Sequence, residues 1–244
     1  MTDLRFCLTI DLMKRVKDTL YLLESGTFVN AYAIVRDSGV LIIDTATPGK
    51  ADGIIRELGS INIKPSDIKA IVITHAHPDH AGSCAALTEK SSAGMYIHKD
   101  DFDILLGKTQ PPEPPYFLGK IATFISGHFF KFTSPRDPRP LDENSRIAGF
   151  EDLEIIHTPG HTPGSMSILD AKDDTLFCGD AINNRGNKLT GPNKFFTNDT
   201  EQAWRSIAKI GALPFKTLCP GHGMWISEHV QQKIQDLLSA NRPG

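Results

Sequence analysis

Three histidines and an aspartate fall within six positions at His75-Ala76-His77-Pro78-Asp79-His80. Imidazole nitrogens and carboxylate oxygens are donors that zinc, iron and manganese all accept. In an extended segment residues i and i+2 point the same way, so His75 and His77 can reach one ion together. Pro78 turns the chain and can aim Asp79 and His80 at a neighbouring point. A polar surface turn is the bland alternative, and it suits a lone histidine better than four metal-capable side chains. Three more candidates stand further along. His161 lies in Thr158-Pro159-Gly160-His161-Thr162-Pro163-Gly164-Ser165, where glycine and proline on both sides fix a loop that presents one histidine. Asp180 follows Phe177-Cys178-Gly179, and its two carboxylate oxygens can bridge two cations. His222 sits in Cys219-Pro220-Gly221-His222-Gly223. Together these five histidines and two carboxylates are enough to hold two ions.

These residues need elements to position them. Leu20 to Leu23, Ala31 to Val35 and Val40 to Ile43 are short aliphatic runs, separated by Gly26 and by the turn signal Asp37-Ser38-Gly39. They predict an opening antiparallel meander. Thr47-Pro48 predicts a helix cap followed by proline at the first helical position, with Ile54, Ile55 and Leu58 as the apolar stripe and Gly59 as the end. Ile68 to Ile73 is continuously apolar, as a strand covered on both faces should be, and leads straight into the first histidines. A short helix is expected from Ala81, a strand at Met95 to Ile97 and a helix at Asp100 to Leu106. Further strands are expected at Glu154 to Ile156, Ser165 to Leu169, Thr175 to Cys178 and around Leu218. Helices are expected at Thr200 to Ile210 and Ser227 to Ser239. Strand groups alternating with helices predict two packed sheets with helices outside.

The chain has 244 residues, of which 40% are hydrophobic and 23% charged, so a globular fold with a real core is expected. Lys and Arg number 26 against 29 Asp and Glu, a net charge of -3 that gives no footprint for nucleic acid. No apolar run approaches the length of a membrane-spanning helix, so no membrane partner is expected. Cys7, Cys84, Cys178 and Cys219 share no C-x-x-C spacing and read as small buried hydrophobes in a reducing compartment. Met1 to Phe6 lacks the basic-then-apolar pattern of a secretory signal, and a cytoplasmic location is expected.

The four motifs, in this order, resemble those of the metallo-β-lactamase-fold superfamily, and of its glyoxalase II-like hydrolases in particular. They are Thr74-His75-x-His77-x-Asp79-His80, Thr158 to Ser165, Gly179-Asp180 and Pro220-Gly221-His222-Gly223, and the match spans roughly Leu20 to Val230. The resemblance implies an α/β fold, a four-layer αββα sandwich over residues 1–244 with a metal centre where the two sheets meet. It implies that His75, His77 and His161 hold one divalent ion, that Asp79, His80 and His222 hold a second, and that Asp180 bridges them. Zinc is the expected ion, with iron and manganese accepted by the same donors. Two such ions can share a hydroxide formed near neutral pH, which attacks a carbonyl carbon while Asp79, the catalytic candidate, orients it or takes its proton.

The superfamily hosts many reactions, so the substrate must come from departures. A small-molecule thioester, ester or lactone is expected. A glyoxalase II carries a C-terminal helical domain that binds glutathione, whereas one helix follows His222 here, which leaves a smaller thioester. Homoserine-lactone-cleaving relatives have a tyrosine three residues after the bridging aspartate, where Asn183 stands. Hydrolytic β-lactamases lack that bridging aspartate. Persulfide dioxygenases share the early motif with a single iron. The stretch 108–144 reads as an insert, broken by Pro111, Pro112, Pro114, Pro115, Pro135, Pro138 and Pro140. A helix is expected in it near Gly119 to Phe130. Its Tyr116, Phe117, Phe124, Phe129, Phe130 and Phe132 either wall the substrate or pack the insert down. Arg185, Lys188 and Lys194 lie in a loop that either meets a substrate carboxylate or is solvated, the latter being the simpler reading. Outside the motifs, His98 and His157 are expected to pack, with support of the His161 loop as a second role for His157. His128 belongs to the insert, with substrate contact as one role open to it, and His229 reads as exposed. Oligomeric state is left open between monomer and homodimer.

Overall fold

The computed structural model describes residues 13–121 and 133–241. β1 (Met13–Lys17), β2 (Leu20–Leu23), β3 (Ala31–Arg36) and β4 (Gly39–Ile43) form an antiparallel meander. β5 (Ile68–Ile73), β6 (Gly94–His98) and β7 (Arg139–Leu141) extend it in parallel to a seven-stranded sheet in sequence order. The second sheet runs β13 (Thr217–Pro220), β10 (Thr175–Gly179), β9 (Met166–Asp170), β8 (Leu153–His157), with only the β10–β13 pair parallel. β11 (Asn183–Arg185) and β12 (Lys188–Thr190) form a separate hairpin.

Alternation along the strands makes four layers. In β4, Leu41 and Ile43 face the second sheet and meet Ile155, Ile168 and Phe177 in a core between the sheets. Val40 and Ile42 face the other way, onto α1 (Ala51–Gly59), α3 (Cys84–Ser91) and α4 (Lys99–Leu105), through Ile54, Leu58, Leu87 and Leu105. On the far side of the second sheet, Leu176, Cys178 and Leu218 pack on Ile207, Ile210, Ile234 and Leu237 of α5 (Thr200–Gly211) and α6 (Val230–Ala240). The result is the αββα sandwich. β5 is apolar throughout because both its faces are covered.

Several elements differ from expectation. β1 is an extra edge strand, hidden in the sequence by Lys14, Arg15 and Lys17, the charges that keep an edge from pairing further. β7 carries Pro140 and falls at the opposite edge, where proline is tolerated. The 183–190 loop is a hairpin turning at Gly186 and Asn187, with φ of 60° and 67°. α1 begins at Ala51, not after Thr47. Thr47 instead accepts a hydrogen bond at its carbonyl from Ser83 Oγ, and Pro48 lies where a Cβ on Gly82 would meet its nitrogen at 2.4 Å. The Thr47-Pro48 turn therefore docks on the histidine segment rather than starting the helix. The last helix starts at Val230, because Ile226 is held in a bridge to Leu218 and His229 adopts φ 54°. In the insert, residues 117–121 are helical. Phe124, His128, Phe129, Phe130, Phe132 and Cys7 lie outside the described residues. Cys84, Cys178 and Cys219 are buried, and burial pushes the Cys84 and Cys178 thiols up to about 12. Among the described residues no helix is long and apolar enough to cross a membrane.

Candidate metal centre

β5, β10 and β13 end at the same rim of the sandwich, so the segments after them converge. β5 runs on through Thr74 to His75 and His77 and into the one-turn helix α2 (Pro78–Ala81), which carries Asp79 and His80. The His161 loop joins β8 to β9, and Met166 N–H donates to Thr74 C=O at 3.0 Å, tying that loop to the first sheet. Asp180 and His222 directly follow β10 and β13, whose exits are joined by Gly221 N–H to Gly179 C=O at 2.7 Å.

The structure brings all seven candidates together in overlapping groups. Donor atoms of His75, His77 and His161 lie within 4.8 Å of one another, as do those of His75, His80 and Asp180, and those of Asp79, His80 and His222. Asp180 lies between the groups: Oδ2 is 3.5 Å from His161 Nε2, and Oδ1 is 3.4 Å from both His80 Nε2 and His222 Nε2. Asp79 Oδ2 is 3.5 Å from His222 Nε2 and 3.8 Å from His80 Nε2. Among the described residues, His75 Nε2, His80 Nε2 and Asp180 Oδ1 are buried and have no hydrogen-bond partner. An orphaned buried polar atom is costly, and three in one cluster ask for a ligand. Gly221 keeps this space open, since a Cβ there would stand 2.4 Å from Asp180 Oδ1 and 2.8 Å from His80 Cε1.

The charges ask for the same thing. Burial lowers the pKa of His75, reinforced by neighbouring His80, His77 and His161, and takes His161 to about 3. These rings stay neutral near pH 7 and keep lone pairs to offer. Burial opposes charge at His80 and His222 too, yet Asp44, Asp79 and Asp180 raise His80 well above its usual value, while Asp180 and Asp79 raise His222 to about 10. Asp180 is held well below the carboxylate range despite its burial, by His80 and His222. The space among Asp79, Asp180, His80 and His222 therefore demands positive charge, which protons or a cation can supply.

Contacts behind the rings fix their orientation. Asp44, in a left-handed conformation at φ 59°, accepts from Thr74 N and Thr74 Oγ1 and faces His80 Nδ1, each at 2.8 Å. His161 Nδ1 pairs with Thr197 Oγ1 at 3.2 Å, and His222 Nδ1 donates to Phe28 C=O at 2.6 Å. Buried Asp101 accepts from Ala76 N, Thr162 Oγ1 and Gly164 N at 2.7–2.8 Å, and so ties two metal-site loops together. Sequence reasoning missed Asp44 and Asp101. Asp44 had a readable signal, an acid directly after the apolar run Val40 to Ile43.

The other histidines behave differently. His98 and His157 stack at 4.0 Å with an interplanar angle of 13°, beside Asp100. His98 Nδ1 accepts from Asp100 N–H at 3.3 Å, and His157 Nε2 donates to Pro163 C=O at 2.9 Å, so each ring has a protein partner. His157 thus supports the His161 loop, the second of the two roles expected for it. His229 is exposed.

Residues 25–222 match the metallo-beta-lactamase superfamily. The chain belongs to that superfamily. It is 34% identical over 221 residues to the uncharacterized protein YobT of Bacillus subtilis, covering 85% of this chain and 89% of that one. It is 30% identical over 200 residues to the probable metallo-hydrolase YflN of the same organism, covering 75% of each. Among solved structures, a metallo-beta-lactamase family protein from Thermus thermophilus superposes with a TM-score of 0.69 at 21% identity, over 93% of this chain and 80% of that one. Membership makes the chain a metal-dependent hydrolase of this fold.

Proposed function

We propose that this superfamily member is a dinuclear hydrolase of a small thioester or ester, with a lactone as the next substrate class. His75, His77 and His161 would hold one divalent cation and Asp79, His80 and His222 a second, with Asp180 shared. The observation that carries this reading is the trio of orphaned donors, His75 Nε2, His80 Nε2 and Asp180 Oδ1, in overlapping groups of ligand atoms. The pair of ions, expected to be zinc, would polarise a carbonyl and lower the pKa of a shared water.

The chain's own groups supply the rest. Asp79 is partly exposed, and His80 and His222 hold its carboxyl ionised despite burial, so it can accept a hydrogen bond or proton from the attacking water. Asp44 holds His80 through Nδ1 and leaves Nε2 facing the centre. Large exposed apolar side chains stand beside the His222 loop and on the insert. Phe28 is 86% exposed and bonded through its carbonyl to His222; Met224 follows two residues later; Tyr116 and Phe117 sit in the 108–144 insert. The insert reaches the site through Asn198, whose Nδ2 donates to Pro112 C=O and whose N–H donates to His161 C=O. Such side chains suit an acyl chain or ring. Asn183 stands, buried, where the lactonase tyrosine would be, and the absence of that phenol supports a thioester or ester before a lactone.

Metal analysis of the purified protein, with assays on thioesters, esters, lactones and β-lactams, tests the reading. About two metals per chain with thioester or ester turnover are expected. One iron per chain with thiol-dependent oxygen uptake would instead indicate a persulfide dioxygenase. Asp180→Ala is expected to lose both metal and turnover.

A further inference from the structure

The β11–β12 hairpin and the chain running on to Phe195 form one wall of a cavity of about 880 Å³, and α5 and α6 form the other. That volume suits a drug-sized ligand. Four cations line it, Arg185, Lys188, Lys194 and Lys233, in a chain whose net charge is -3. Among the described residues the lining holds one carboxylate, Asp236, which already accepts from Gln232 Nε2 at 2.9 Å. Among the described residues none of the four cations pairs with a carboxylate. Lys194 lies instead over the rings of Tyr116 and Phe195, at 5.7 and 5.3 Å. Trp204 is half-buried in the same wall, and Gly191 lets the chain pass its indole, since a Cβ there would come within 3.1 Å of the ring.

Several unpaired cations beside an aromatic platform match neither an acyl chain nor a single carboxylate. They match a flat ring joined to more than one negative charge. We propose that this cavity binds a nucleoside phosphate, with the base against Trp204 and the phosphates among Arg185, Lys188 and Lys233. The ligand would be either a free nucleotide or the nucleotide handle of a coenzyme thioester, and only the second rests on the hydrolase reading. A chain of hydrogen bonds links the cavity wall to the metal centre. Asn193 lines the cavity, and Asn193 C=O accepts from Thr197 Oγ1, the hydroxyl that pairs with His161 Nδ1.

The chain has two tryptophans, so Trp225→Phe leaves Trp204 as the only one to report. ADP titrated into the metal-loaded protein should quench Trp204 saturably, with a Kd below about 1 mM. The affinity should fall at least about tenfold in Lys188→Ala/Lys233→Ala, and again on adding salt. Adenosine and inorganic phosphate serve as the partial probes. Unchanged metal content and urea midpoint show that the double variant is folded; if it is not, Arg185→Ala takes its place. No saturation with ADP, equal binding of phosphate alone, or wild-type affinity in the folded variant overturns the proposal. Rates for a coenzyme A thioester and the matching pantetheine thioester separate the sources. A preference for the former that collapses in the double variant assigns the handle, and equal rates with ADP still bound assign a free nucleotide. Nucleotide binding without turnover of any thioester, ester or lactone would sink the proposed substrate reading and leave the cavity's assignment standing.

Discussion

Asp44 accepts two hydrogen bonds from Thr74 and faces His80 Nδ1, so one side chain sets both the path of the β5 exit and the orientation of a proposed ligand. Asparagine would keep its size but offers one acceptor oxygen and a donor in place of the second. Asp44→Asn is therefore expected to weaken metal binding by about 10–100-fold while leaving the fold intact. Competition with a chelator measures it, and an unchanged affinity would remove Asp44 from the centre. His98 makes a separate prediction at this scale. Burial, reinforced by His157, lowers its pKa from 6.5 to about 4. Between those values the unfolded chain binds more protons than the native one at this residue, so stability is complete above 6.5 and declines as pH falls toward 4. Replacing His98 with Gln should flatten that part of the acid limb in urea titrations. The same slope in both proteins would assign the acid sensitivity to other groups.

At the scale of elements, each proposed ligand sits in a short segment directly after a strand or between two strands, and glycine makes the close approaches possible. Gly221→Ala would place a methyl 2.4 Å from Asp180 Oδ1, with Asp180, His80 and the backbone of Gly179 all around it. The expected outcome is loss of one of two metals per chain with near-complete loss of turnover, read by metal analysis; full metal occupancy would show that the exit of β13 can yield. The same local rule explains what is legible in the sequence. Ile68 to Ile73 ends in His75, and Phe177-Cys178 ends in Gly179-Asp180, so apolar run and polar ligand are contiguous and both are readable. Asp44 carries the same local mark, directly after the run Val40 to Ile43, but its pairing with Thr74 across 30 residues, like that of Asp101 with Ala76 across 25, is encoded by no local pattern. β1, β7 and the β11–β12 hairpin escape for a different reason. Their lysines, arginines and Pro140 suit edges and hairpins, and this chemistry erases the alternation by which strands are recognised. Thr47-Pro48 carries a true helix-start signal, but its contacts with Ser83 and Gly82 override it.

At the scale of the molecule, the sandwich is closed differently at its two ends. Away from the centre, Arg36 of β3 reaches across to Asp170 and Asp173, and Lys17 reaches Thr175, so charged side chains fasten the sheets directly. At the other end, His75, His77, Asp79 and His80 come from the first sheet and His161, Asp180 and His222 from the second. Cations held there would cross-link the two. A ligand bound only by the native state stabilises it by about 2.7 kcal/mol per site at a hundred times its Kd. For a chain of this length that is roughly 5–10 °C in Tm per site. Chelation should therefore lower Tm by that order, and any local loosening beyond this global loss should fall at one end. The amides of Thr45, Met166 and Gly221, which donate to His80, Thr74 and Gly179, should exchange faster after chelation. Those of Ile34, Ile168 and Phe177, in strands that share the core between the sheets, should lose only the global share that matches the fall in Tm. Hydrogen exchange with and without chelator decides it. An equal loss at both sets of amides, with no excess at the metal end, would mean that the two ends are not held separately.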